Sequence, residues 1–153
     1  MIKSAYDIIP LIKEYHLCKQ EVLLLFTIDS NKRVIQSHII SQGNTKETKL
    51  NRLKIEDCLD KDNASFYILA HNHPNDDGNN FIVPSEQDML YTWKLYKELS
   101  VPMLDHIIFN DFCFYSFNNT CTLKKYETST EYSTYCNFYE RYSDKPSIFY
   151  EST

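Results

Sequence analysis

Two short segments carry residue types that can do chemistry together: His71-Asn72-His73-Pro74 and, after a linker, Pro84-Ser85-Glu86-Gln87-Asp88. Side chains at i and i+2 of an extended chain point the same way, so His71 and His73 can converge on one ion. Asp88 would project from the first turn of a helix opened by Ser85. Two imidazoles and one carboxylate match a catalytic zinc site, which keeps its fourth position for water. Such a site lowers the pKa of that water and polarises a carbonyl. Each segment also has a plainer explanation. A His-x-His beside a loop is more often surface polarity than a metal site. Ser85-x-x-Asp88 is also a helix-capping pair, with Ser85 as N-cap and an acidic side chain complementing the helix dipole. The two roles of Asp88 are compatible, because a capped helix holds it rigidly. The conjunction of both segments after a buried strand is what points to a site.

The elements that must position these residues follow from hydrophobic patterning. Apolar side chains at Tyr6, Ile9, Leu11, Ile12 and Tyr15 have a loosely helical spacing over residues 4–16, with Pro10 shortening the helix or setting its first turn. Residues 22–28 read as a buried strand, a turn at Asp29-Ser30-Asn31-Lys32 follows, and residues 34–40 read as its antiparallel partner. Leu50, Leu53, Ile55 and Leu59 mark a short helix. The apolar run Phe66 to Ala70 is expected to be a central strand, with His71 and His73 just past its end in a loop that reaches Pro84. Ligands in α/β sheets gather at such strand ends. A strong helix is expected over 85–99, with Met89, Leu90, Trp93 and Tyr96 as its apolar stripe. Two strands, 103–109 and 113–117, flank an Asn110-Asp111 turn. Strands alternating with helices predict a mixed sheet with helices packed on it.

A chain of 153 residues suits one domain with a buried core, and its 42% hydrophobic and 14% aromatic content argues against disorder. A net charge of −5 lacks the basic face of a general nucleic-acid binder, which weighs against that partner without ruling it out. No apolar run approaches the roughly 20 residues that span a bilayer. The N-terminus lacks the apolar core of a secretory signal, so a cytoplasmic location is expected. The five cysteines form no Cys-x-x-Cys pair and read as reduced thiols used as small apolar residues. Two glycines are too few for a Walker loop or a dinucleotide fingerprint. From Lys124 onward the composition shifts: six tyrosines, many Ser and Thr, and no Leu. The chain is therefore divided into a domain over 1–123 and a tyrosine-rich appendage over 124–153. Tyr132, Tyr135, Tyr139 and Tyr142 are spaced as one helical face, expected to pack on the domain.

Glu21, then His71-x-His73-Pro74, then Ser85-x-x-Asp88 resembles, in that order, the JAMM motif of the JAB/MPN metalloprotease-like superfamily. The segments Ile68-Leu69-Ala70-His71-Asn72-His73-Pro74 and Leu104-Asp105-His106-Ile107-Ile108 resemble its RadC-like branch most closely. Glu21-Val22 through Asp29, Arg33-Val34-Ile35 and Ser41-x-Gly43 fit as well. The resemblance covers about residues 5 to 118. It implies a three-layer α/β/α sandwich with a mixed sheet, the JAB/MPN architecture that is similar to cytidine deaminases. It further implies Zn2+ held by His71, His73 and Asp88, Glu21 accepting a proton from the metal-bound water, and Ser85 hydrogen-bonding the developing oxyanion. That assignment agrees with what acid–base and oxyanion chemistry require. Taken alone, Glu21 reads as an exposed carboxylate at a strand start.

The sequence departs from the family pattern between the second histidine and the serine. Family members usually carry a short Ser-Gly-Asp-Pro-Thr-Pro-like linker; here Asn75 to Pro84 is longer, and Asn79-Asn80-Phe81-Ile82 reads as an insertion looping out on the surface. The helix-hairpin-helix region that often precedes the domain is not recognisable, so the chain is expected to comprise the JAB-like domain only. Asp105 and His106 are expected to make strand-end hydrogen bonds, with orientation of a metal-bound imidazole as the alternative role for one of them. The function implied is a zinc-dependent hydrolase cleaving an amide or isopeptide bond in a peptide or protein substrate. Against it stand a non-catalytic metal-binding or metal-free interaction module and a DNA-repair-associated RadC-like role. A nucleobase deaminase is disfavoured, because the His-x-Glu and Pro-Cys-x-x-Cys pattern is absent.

Overall fold

A computed structural model describes residues 1–15, 18–43, 48–73, 82, 84–110 and 113–128. Strand β1 (Val22–Ile28) is buried along its whole length, as its run of apolar residues, broken only by Thr27, requires. It pairs antiparallel with β2 (Val34–Gln42) on one side and with β3 (Phe66–Asn72) on the other. The β1–β2 hairpin is closed by Asp29, whose carboxylate accepts from the amides of Asn31 and Arg33 at 2.8 and 2.9 Å. β4 (Met103–Phe109) pairs parallel with β3, and β5 (Phe114–Ser116) antiparallel with β4. The result is a five-stranded mixed sheet in the order β2-β1-β3-β4-β5.

Two crossovers connect parallel strands, β2 to β3 through helix α2 (Thr48–Lys61) and β3 to β4 through helix α3 (Glu86–Glu98). Both step the same way along the sheet, so right-handed connections put both helices on one face. On that face Leu25, Ile55, Leu59, Leu69, Met89, Leu95, Ile108 and Phe117 form one core cluster. On the opposite face lie Ile2, Ala5, Ile8 and Ile12 of the N-terminal helical segment, clustered with Leu24, Phe26, Ile68 and Ile107. That segment is a chain of short turns, Ala5–Asp7, Ile9–Ile12 (α1) and Lys13–Tyr15, with Pro10 near the start of the second. The architecture is thus α/β with helices on both faces of a mixed sheet, as the sequence predicts.

Several expectations need correction. β3 does not stop at Ala70 but continues through His71 and Asn72, which pair with Ile108 and Phe109 of β4. The polar pair is tolerated there because both side chains find partners, described below. Leu53, read as part of the buried stripe of α2, is 61% exposed, and Cys58 packs inward instead. Ile82, read as part of a surface insertion, is buried in the α3-side core, as an isoleucine there gains more from burial than from solvent. A final helix, Thr122–Thr128, buries Tyr126 completely, its hydroxyl donating to the Met89 carbonyl at 3.3 Å. Tyr132, Tyr135, Tyr139 and Tyr142 lie outside the described residues. No helix among the described residues is long and apolar enough to cross a membrane.

Candidate metal centre

The end of β3 and the start of α3 meet above the core, and they carry the candidate residues with them. His71 sits inside the strand, and the amide of His73 just beyond it donates to the Phe109 carbonyl at 2.9 Å, which continues the alignment of this segment along β4. Helix α3 starts at a full capping box. The Ser85 hydroxyl accepts from the Asp88 amide and the Asp88 carboxylate accepts from the Ser85 amide, both at 3.0 Å. Asp88 is therefore fixed by the cap, and its carboxylate faces the two imidazoles.

The spacing of the three donor groups is informative. His71 Nε2 and His73 Nε2 are 3.1 Å apart; His71 Nε2 is 3.4 Å from Asp88 Oδ1, and His73 Nε2 is 3.3 Å from Asp88 Oδ2. Zinc–ligand bonds of 2.0–2.1 Å in a tetrahedron imply an edge of about 3.3 Å between ligand atoms. The three side chains are only 14%, 20% and 18% exposed, so one edge of the group still reaches solvent. The donor set, its spacing and its partial exposure all fit a divalent ion held by His71, His73 and Asp88 with a position left over. Burial works against ionisation of Asp88. The two imidazoles beside it and the Ser85 amide outweigh burial and hold the carboxyl well below the usual carboxylate range.

Behind His71 lies a residue whose expected role was a strand-end hydrogen bond. His106 Nε2 is 2.8 Å from His71 Nδ1, and His106 Nδ1 is 2.6 Å from the Thr92 hydroxyl, which in turn donates to the Asp88 carbonyl at 2.7 Å. The His106 ring is buried and stacked on Phe117 at 5.1 Å, and burial keeps it well below the ordinary histidine value and neutral. Its neighbour Asp105 does take the structural role. Pointing to the other face, it accepts from the His106 amide at 2.8 Å, the Ser116 hydroxyl at 2.5 Å and the Asn118 amide at 2.9 Å. Thr92 was missed by sequence reading, which looked for an apolar stripe; its signal is the i+4 spacing from Asp88, which places both on one helix face.

Asn72 was missed too. Buried between the histidines, it accepts from the Val22 amide at 2.7 Å and donates to the Gln20 carbonyl at 3.0 Å and the Cys18 carbonyl at 3.4 Å. These contacts bracket Glu21, whose own carbonyl accepts from the Gly43 amide at 2.8 Å. Glu21 is exposed at the head of β1. The β1–β3 ladder ends at Leu23 and His71, so Glu21 lies two residues beyond the last pair on β1 and His73 two residues beyond it on β3. Ser85 is exposed at the helix start, and its hydroxyl proton is not used in the cap, where the oxygen acts as acceptor.

A mixed α/β sheet whose central strand end and following helix present His-x-His and Asp to one point is consistent with a JAB-type domain carrying a candidate metal site. The comparison with known families agrees: the model of the RadC-like JAB domain matches residues 2–123, and the chain belongs to that family. Among curated proteins it is similar to a UPF0758 protein of Clostridium perfringens (32% identical over 101 residues, covering 64% of this chain and 43% of the relative). It is also similar to a UPF0758 protein of Streptococcus pyogenes serotype M49, 33% identical over 108 residues, covering 69% and 46% of the two chains. A third, from Pseudoalteromonas translucida, is 33% identical over 93 residues, covering 59% and 40%. The chain therefore spans less than half the length of the curated relatives it matches.

Proposed function

We propose that this domain is a zinc-dependent hydrolase of JAMM type that cleaves an amide or isopeptide bond in a peptide or protein substrate. The observation that carries the reading is the near-tetrahedral spacing of His71, His73 and Asp88 donors on a partly open site. Bound there, zinc supplies Lewis acidity that makes water a nucleophile at neutral pH. The chain's own residues do the rest. Glu21, exposed just before β1, two residues from the Leu23 that pairs with His71, takes the proton that water gives up and later returns it to the leaving amine. Ser85, whose hydroxyl proton is not used by its cap, donates to the oxyanion as the carbonyl becomes tetrahedral. A reducing, cytoplasmic setting suits the free thiols Cys18, Cys58 and Cys121.

The test pairs two measurements on one set of proteins. Elemental analysis of protein purified without chelator should give about one zinc per chain in the wild type and none in His71→Ala. Glu21→Gln should keep zinc but lose about two to four orders of magnitude of turnover on a peptide and isopeptide library. Zinc loss in Glu21→Gln would make Glu21 a ligand, and unchanged turnover would remove its role as base. Stoichiometric zinc with no turnover across the library would leave the metal site and replace the enzyme with an interaction module.

A further inference from the structure

We propose that Thr92 and His106 form a hydrogen-bond relay that sets the tautomer of His71, leaving its Nε2 lone pair aimed at the metal position. Thr92 is then a positioning residue for a centre it does not touch. The inference rests on the reading of His71 as a ligand, and it follows from counting protons.

A hydroxyl has one proton to give. Thr92 gives it to the Asp88 carbonyl, 2.7 Å away. Toward His106 Nδ1, at 2.6 Å, Thr92 can therefore act only as acceptor, so that nitrogen carries the proton. His106 is 1% exposed and lies flat on Phe117, where an uncompensated imidazolium would be costly, so its other nitrogen is bare. Bare Nε2 at 2.8 Å must accept, which makes His71 Nδ1 the donor and leaves His71 Nε2 without a proton. That nitrogen is the one 3.1 Å from His73 Nε2 and 3.4 Å from Asp88 Oδ1. The relay starts on the backbone of one candidate ligand, Asp88, and ends on the ring of another. Donor polarity is thus fixed before any ion arrives. A ligating histidine whose far nitrogen has a fixed partner is oriented and made more basic, and loss of such a partner typically costs 10–100-fold in metal affinity.

The experiment uses the full chain. Thr92→Val keeps the shape and removes the hydroxyl, so His106 Nδ1–H loses its acceptor; Thr92→Ser keeps the hydroxyl. Zinc dissociation constants from competition with a chromogenic chelator should weaken roughly 10–100-fold in Thr92→Val and return toward wild type in Thr92→Ser. In the metal-free wild type, long-range 15N–1H spectra of the histidine rings should show His106 protonated on Nδ1 and His71 protonated on Nδ1. Wild-type affinity in a folded Thr92→Val overturns the relay, and so does wild-type His106 protonated on Nε2. If Thr92→Val does not fold, the wild-type ring spectrum decides alone. If the wild type binds no zinc, the ligand reading fails, while the same spectrum still upholds or overturns the relay.

Discussion

Two regions on the same face of the sheet pair histidine with aspartate, and they do so at different distances. Between β2 and the end of α2, His38 Nε2 meets Asp62 Oδ2 at 2.7 Å, and the same oxygen accepts from the buried Thr27 hydroxyl at 2.7 Å. At the end of β3, His71 and His73 stand 3.4 and 3.3 Å from Asp88. The first spacing is that of a charge-assisted hydrogen bond, closed on itself. The second is too long for that and matches the edge of a metal's coordination shell. Identical residue types thus make a structural tie in one place and a candidate ion site in the other. Distance, third partner and rear support separate them: only the second has two imidazoles, and only the second has a relay behind one of them.

The comparison breaks most visibly on removal of one imidazole from each region. His71→Ala should abolish zinc-dependent stabilisation, whereas His38→Ala should leave it intact. At zinc a hundredfold above its dissociation constant, binding stabilises the fold by about 2.7 kcal/mol. Urea unfolding of both variants, with zinc and with chelator, makes the contrast measurable. Equal zinc responses in the two variants would erase the distinction drawn from spacing.

A smaller effect separates holding the ion from holding Glu21. Asn72→Ala leaves the Val22 amide buried without its acceptor, which typically costs about 1–3 kcal/mol. Zinc stoichiometry should stay at wild-type level, because His71 and His73 point to the other face from Asn72. Turnover should fall, since the segment bracketing Glu21 loses its clamp. Zinc loss from a folded Asn72→Ala would mean that the clamp serves the histidines instead.

Much of this was legible in the sequence, and the residues that escaped it share a cause. β1 and β4 were readable to the residue, because β1 is apolar but for Thr27 and β4 has apolar residues on both sides of its Asp105-His106 pair, which mark both of its ends. The trio His71, His73 and Asp88 was readable from spacing, since i, i+2 on a strand and the third position of a capped helix fix direction. β3 was read two residues short, because His71 and Asn72 interrupt the apolar run; their partners, His106 and Val22, are 35 and 50 residues away in the chain. Thr92 interrupts the stripe of α3 in the same way, and Leu53 fits a stripe yet faces solvent. Local pattern reports burial of apolar groups; a buried polar group is legible only through a partner that the fold supplies. The His38–Asp62 tie escaped for that reason as well.

The smallest expected effect is the pH dependence of that tie. The hydrogen bond from His38, and after it the Thr27 hydroxyl, hold the Asp62 carboxyl below its ordinary value. A carboxylate depressed in the folded state binds its proton less readily there than in the unfolded chain. Its stabilisation is therefore fully present above the unfolded value, about 3.9, and is lost as pH falls through the depressed folded one. Asp62 is partly exposed, so solvent screening keeps the contribution at about 0.2–1 kcal/mol. Asp88 is depressed in the same direction and adds its own acid dependence, so the wild-type curve alone does not isolate the tie. The difference between wild type and Asp62→Asn does. With chelator present, urea midpoints of the two should differ most near neutral pH and converge toward pH 2–3, since the amide cannot lose what it never had. A difference that persists unchanged at acid pH would assign the loss to packing rather than charge, and the His38–Asp62 contact would then be a shape match.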